Sequence, residues 1–113
     1  VKTDKDVEQF IVDVIDSLVM WELVVFLWNN PGVTDNASGI AARLGRRSQD
    51  LTEALNSLVS HRILQKWGDP SEPIYAYHPT PALAKAIEKF MEFNNSKQGK
   101  LIIWSQLLKQ GMR

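Results

Sequence analysis

The chain has 113 residues, 44% hydrophobic and 23% charged, a composition that excludes a wholly disordered polymer and fits one soluble globular domain over residues 1–113. Its 13 basic and 13 acidic side chains cancel, so no global field steers it toward nucleic acid or a membrane surface. Cysteine is absent, which excludes disulfides, thiol catalysis and Cys-ligated zinc or iron–sulfur sites.

The chain begins Val-Lys-Thr-Asp-Lys-Asp, too acidic and polar for a secretory leader. The longest apolar run, 23–28, falls far short of the ~20 residues that span a bilayer. A cytoplasmic location without a membrane partner is therefore expected. Val7, Ile11, Val14, Leu18, Trp21, Val25 and Trp28 recur at spacings of four and three, the period of an amphipathic helix. Asp16-Ser17 can cap a new helix, so the stretch is read as two helices, about 5–16 and 18–29. Asn29-Asn30-Pro31-Gly32 ends the second.

A short helix follows at 38–44, with Ile40, Ala41 and Leu44 on one face and Gly45 as its terminator. Leu51, Leu55 and Leu58 mark another helix at about 48–61, with Ser48 as a candidate cap. The connector Gly45-Arg46-Arg47 is short enough to force a helix–turn–helix, and Ala41, Ala42 and Ala54 allow a close crossing. Residues 63–67 read as a strand, 68–73 with two prolines as a loop, and 74–78 as the returning strand. Thr80-Pro81 signals the start of a helix that runs to about residue 93. After Asn94-Asn95-Ser96, residues 101–108 form a last helix, within outer bounds of about 100–110.

This order predicts a mainly α fold with a small β-wing: a winged helix-turn-helix, core about 18–93, with extra N- and C-terminal helices. Ile40-Ala41-Ala42-Arg43-Leu44-Gly45, followed by Leu51, Ala54-Leu55, Leu58 and Ile63-Leu64, resembles bacterial winged-helix transcriptional regulators, and most of all the small multiple-antibiotic-resistance-regulator type. Two positions depart from that pattern. Where many members place Gly after the recognition helix, this chain has His61 or Arg62, and where many place a Ser or Thr cap it has Arg47.

The resemblance implies a DNA-binding transcriptional regulator whose recognition helix, about 48–61, enters the major groove. The outward residues are then Ser48, Gln49, Asp50, Thr52, Glu53 and Asn56. Gln49 and Asn56 can pair with adenine and Thr52 can touch a thymine methyl. Arg46, Arg47 and Lys66 would hold phosphates. A solvated polar face explains the same residue types equally well. Charge argues both ways: residues 31–67 net +2, but Asp50 and Glu53 lie on the reading face, and Asp69 and Glu72 make the wing acidic. A protein–protein interaction module without specific DNA binding is thus the second reading.

His61 and His78 belong to no spaced ligand set, and no phosphate loop or nucleophile elbow occurs. Neither a metal, a cofactor nor a catalytic residue is expected. Trp21 and Trp28, seven apart, read as core. Phe10, Ile11, Val14, Leu101, Trp104 and Leu108 lie outside the winged core and need a cover, which a homodimer built from the terminal helices would supply.

Overall fold

The computed structural model describes residues 5–109. The chain is mainly helical with one small antiparallel sheet. Its first helix, α1 (Lys5–Asp13), stops three residues before the predicted end. The amides of Val14 and Ile15 both reach back to the Phe10 carbonyl, and that of Asp16 bonds to Val14. With α1 closed on Phe10, Ser17 is left to cap α2 (Leu18–Asn29), its hydroxyl accepting from the Met20 amide at 3.2 Å.

Phe10, Ile11 and Val14 are buried within the chain itself. Helix α1 lies along α5 (Pro81–Asn94), and the Phe10 and Phe90 rings sit 5.3 Å apart. The expectation that these three residues await a second subunit is therefore corrected: the chain's own core already covers them, with Phe90 of α5 against Phe10. Trp28 also departs from the core expected for it. It sits in the last turn of α2 and is 38% exposed, because Met20, Leu23, Val24 and Leu27 form the buried stripe instead.

A strand that the apolar pattern does not announce follows, β1 (Thr34–Asn36). Asn36 ends it and also caps α3 (Ala37–Leu44), accepting from the Gly39 amide at 2.8 Å. Gly45 takes the left-handed conformation (φ 67°), and the amide of Arg46 bonds to the Ala41 carbonyl, closing α3 as a Schellman turn closes a helix. Helix α4 (Ser48–Ser60) starts after Arg47 with no side-chain cap, so Ser48 is its first helical residue rather than its cap.

The same closing turn ends α4, but there Arg62 holds the left-handed position at φ 61°. The amide of Arg62 bonds to Val59 and that of Ile63 to Leu58, and Leu58 and Ile63 are both fully buried. Strands β2 (Leu64–Trp67) and β3 (Ile74–Tyr77) form the hairpin, and β3 also pairs with β1, so the sheet order is β1-β3-β2. Tyr75 lies opposite both Asp35 and Lys66.

Helix α5 packs against α1, α2 and α6 (Lys97–Lys109). Its Asn94, a buried polar side chain, accepts from the Trp21 indole at 2.8 Å, and the Trp21 ring lies 6.0 Å from that of Trp104. Helix α6 begins earlier than expected because Ser96 caps it, accepting from the Gly99 amide and donating to the Phe93 carbonyl. Gly99 has no alternative there: a β-carbon would stand 1.8 Å from the Phe93 carbonyl oxygen. Among the described residues no helix is long and apolar enough to cross a membrane.

Candidate nucleic-acid interface

Burial of Leu51, Leu55 and Leu58 fixes the orientation of α4. Gln49, Asp50, Thr52, Glu53 and Asn56 are exposed as a consequence, and Ser48 is half-buried. The β2–β3 hairpin stands beside this face. Between them, and closed at one end by the start of α3, runs a groove of about 520 Å³. Ser48, Thr52 and Asn56 line it from α4, and Lys66, Glu72 and Tyr75 from the hairpin.

The groove is cross-linked. Asn56 Oδ1 accepts from Lys66 Nζ at 3.0 Å and from the Tyr75 hydroxyl at 3.3 Å. Both lone pairs of that oxygen are thereby used, and the ammonium lies 5.8 Å from the Tyr75 ring centre. Burial pushes the Tyr75 phenol up from its ordinary pKa, and burial does the same to Tyr77. Glu72, beyond the hairpin tip, accepts from Asn36 Nδ2 at 2.8 Å, tying the loop back to the cap of α3. Asp69 accepts from the amide and the hydroxyl of Ser71, and those two bonds hold its carboxyl below the usual range.

The arginines before α4 are both engaged by acids. Arg46 donates to Glu22 on α2, and only about a quarter of its side chain is exposed, 27%. Arg47 reaches along the first turn of α4 to Asp50, at 3.1 and 3.3 Å, and stays largely in solvent. Thr52 donates its hydroxyl to the Ser48 carbonyl one turn back. Gln49 lies outside the groove, on the exposed start of the helix.

Of the seven residues expected to touch DNA, Ser48, Thr52, Asn56 and Lys66 are thus brought to one groove, and Gln49 and Arg47 lie outside it in solvent. Arg46 is drawn away toward α2. Sequence reasoning missed Glu22, Asn36 and Tyr75, and placed Glu72 in the loop without its bond to Asn36. The alternation of the second strand carried a signal for Tyr75, since its neighbours Ile74 and Ala76 point to the opposite face. Glu22 had none, being an isolated acid on an apolar helix.

His61 Nδ1 donates to the Ser57 carbonyl at 2.8 Å, a local helix-end bond. Among the described residues no group of three or more His, Asp or Glu side chains converges as a metal site requires. Compared with known protein families, curated proteins and solved structures, the chain matches none.

Proposed function

We propose that the chain is a winged helix-turn-helix protein that binds duplex DNA, as a transcriptional regulator does, and that it is a binding protein rather than an enzyme. The observation that carries the reading is the sheet order β1-β3-β2. β1, between α2 and α3, takes the inner edge of β3. On this reading the β2–β3 hairpin, held by β1 and by the Glu72–Asn36 bond, flanks α4 as a wing, and the short connector after Gly45 spaces α3 and α4 as a helix–turn–helix. An exposed polar helix face and a wing on its flank are what major-groove readout with adjacent backbone contact requires.

Gln49 and Glu53 are then the base readers with free outward reach, Gln49 toward adenine and Glu53 toward the amino group of cytosine. Arg47 and Lys66 supply phosphate contacts. A mobility-shift titration with duplex DNA between about 50 and about 200 mM salt tests this, since phosphate contacts make affinity fall steeply over that range. Binding that weakens with salt, with one enriched sequence in a random-duplex selection, is the expected result. No binding at low salt overturns it.

One observation favours a second reading. The wing carries Asp69 and Glu72 without a cation at its tip, and Arg46 and Arg47 are both already paired with acids. A protein with a basic surface would suit the groove in that case. Failure in the DNA titration, together with capture of a basic partner through the Thr52–Glu72 groove, would favour it.

A further inference from the structure

Gln49, Glu53 and Asn56 are spaced by four and three along α4, so Asn56 falls on the same outward stripe as the two base readers. Unlike them it is not free to turn. Its Oδ1 accepts from Lys66 Nζ at 3.0 Å and from the Tyr75 hydroxyl at 3.3 Å. A lysine ammonium has three hydrogens and no lone pair, so only the oxygen of the amide can face it. The two bonds therefore fix which way the amide points. Among the described residues Asn56 Nδ2 has no partner, and the side chain is exposed.

In the major groove every base pair shows one keto oxygen and one amino group: guanine O6 or thymine O4 on one base, cytosine N4 or adenine N6 on the other. A free asparagine suits adenine, because its oxygen accepts from N6 while its nitrogen donates to N7. Asn56 has lost that choice. An amino group brought to it meets an oxygen whose lone pairs are filled and an ammonium that is itself a donor. A keto oxygen meets donors only. We propose that Asn56, set by Lys66 and Tyr75, reads the keto oxygen of guanine or thymine through Nδ2 and refuses adenine and cytosine. The proposal rests on the DNA-binding reading and deepens it. Residue type alone assigns Asn56 to adenine, and the tertiary bonds reverse that assignment.

The lock is anchored in the sheet. Tyr75 is buried on β3, and Lys66 stands opposite it on β2. Lys66 Nζ lies 5.8 Å from the Tyr75 ring centre, so the ammonium is held by the ring as well as by the amide oxygen. Two of its three hydrogens remain for a phosphate, so its backbone contact and its hold on Asn56 are compatible. The direction in which Asn56 reads is thus set from the hairpin and not from α4. The wing governs base choice at this position through a side chain of the helix.

Selection from random duplexes by the full chain, read position by position in the enriched sequences, tests the proposal. The wild type should prefer guanine or thymine to adenine and cytosine by about tenfold at one position, and the selected base shows which of the two keto bases is taken. Asn56→Asp keeps an oxygen for Lys66 and Tyr75 and puts an acceptor where Nδ2 stood. It should move that position to cytosine or adenine and leave the position read by Gln49 as it was. Lys66→Met/Tyr75→Phe removes both donors and frees the amide to turn, so adenine should be gained at the same position, at lower overall affinity. Both variants should keep the helical circular dichroism of the wild type. A wild-type preference for adenine at the position that Asn56→Asp alters overturns the proposal. So does a preference that Asn56→Asp leaves unmoved, even if affinity falls for all sequences alike, as loss of a phosphate contact requires. So does a double variant that gains no adenine. In these outcomes DNA binding stands and only the reading of Asn56 is lost. A wild type that enriches no duplex overturns the DNA-binding reading and this one with it.

Discussion

Arg46 donates from Nε to Glu22 Oε2 at 2.8 Å and from Nη2 to the same oxygen, so the turn before α4 is fastened to α2. The guanidinium that the sequence offers as a phosphate clamp is neutralised inside the protein. Arg46 therefore serves to position α4 rather than to offer a free cation beside it.

Glu22→Gln tests that assignment. It should lower unfolding free energy by about 0.5–1 kcal/mol, the upper part of the range for partly exposed ion pairs. It should also release Arg46 toward solvent. If DNA binding holds, non-specific affinity should rise and the plot of log affinity against log salt should steepen by about 0.9, one added phosphate contact. An unchanged slope in a mobility-shift series would mean that Arg46 does not reach the backbone even when freed.

Asn56 has a comparable double claim on it. Its Oδ1 is held by Lys66 and Tyr75, so Asn56→Ala should act first on stability, by about 1–3 kcal/mol, because the hydroxyl of the buried Tyr75 loses its acceptor. Tyr75→Phe should cost less, and the double variant should cost less than the two single changes together. Urea denaturation of the four proteins gives the cycle directly. Additive losses would show that the 3.3 Å contact to Tyr75 carries no coupling.

Local signals made much of the fold readable. The leucine stripe at Leu51, Leu55 and Leu58, Gly45 after α3, and Pro81 at the start of α5 each state a boundary or a buried face within a few residues. The misses are non-local. Thr34-Asp35-Asn36 has no strand-like alternation and becomes β1 only because β3 offers it an edge. Phe10, Ile11 and Val14 looked unpartnered because nothing in a linear pattern says that α5 returns beside α1. The groove was half legible for the same reason: its α4 side follows from the helix period, whereas Glu22, Glu72 and Tyr75 enter through tertiary contacts.

The chain's only tyrosines, Tyr75 and Tyr77, both resist ionisation, and burial is the cause. A phenol whose pKa is raised on folding binds its proton more tightly in the native state. Its stabilising effect is then complete below the unfolded value of about 10 and is lost as pH climbs through the raised native value. Unfolding free energy should accordingly show no tyrosine-dependent slope up to about pH 10 and fall beyond it. An ultraviolet titration of phenolate absorbance checks this, since only two groups report. Both should ionise later than free tyrosine in the folded protein and at the ordinary value in urea. Early ionisation of either one would contradict its burial.

Arg62 occupies a place in the fold that suits glycine. It follows the last turn of α4 at φ 61°, its amide bonded to Val59 and its carbonyl accepting from the Thr80 amide at 3.3 Å. The left-handed conformation costs a residue with a β-carbon about 1–2 kcal/mol, and glycine offsets roughly 0.5–1 kcal/mol of that gain through its freer unfolded chain. Its side chain is exposed. Arg62→Gly should therefore stabilise the protein by about 0.5–1 kcal/mol, seen as a higher urea midpoint at unchanged slope. Arg62→Ala separates the causes, because it removes the same charge and keeps the β-carbon, and so should bring no comparable gain. Equal stabilisation by both variants would locate the effect in charge and not in the backbone. A loss on glycine substitution would mean that the arginine side chain makes a contribution larger than the strain it imposes.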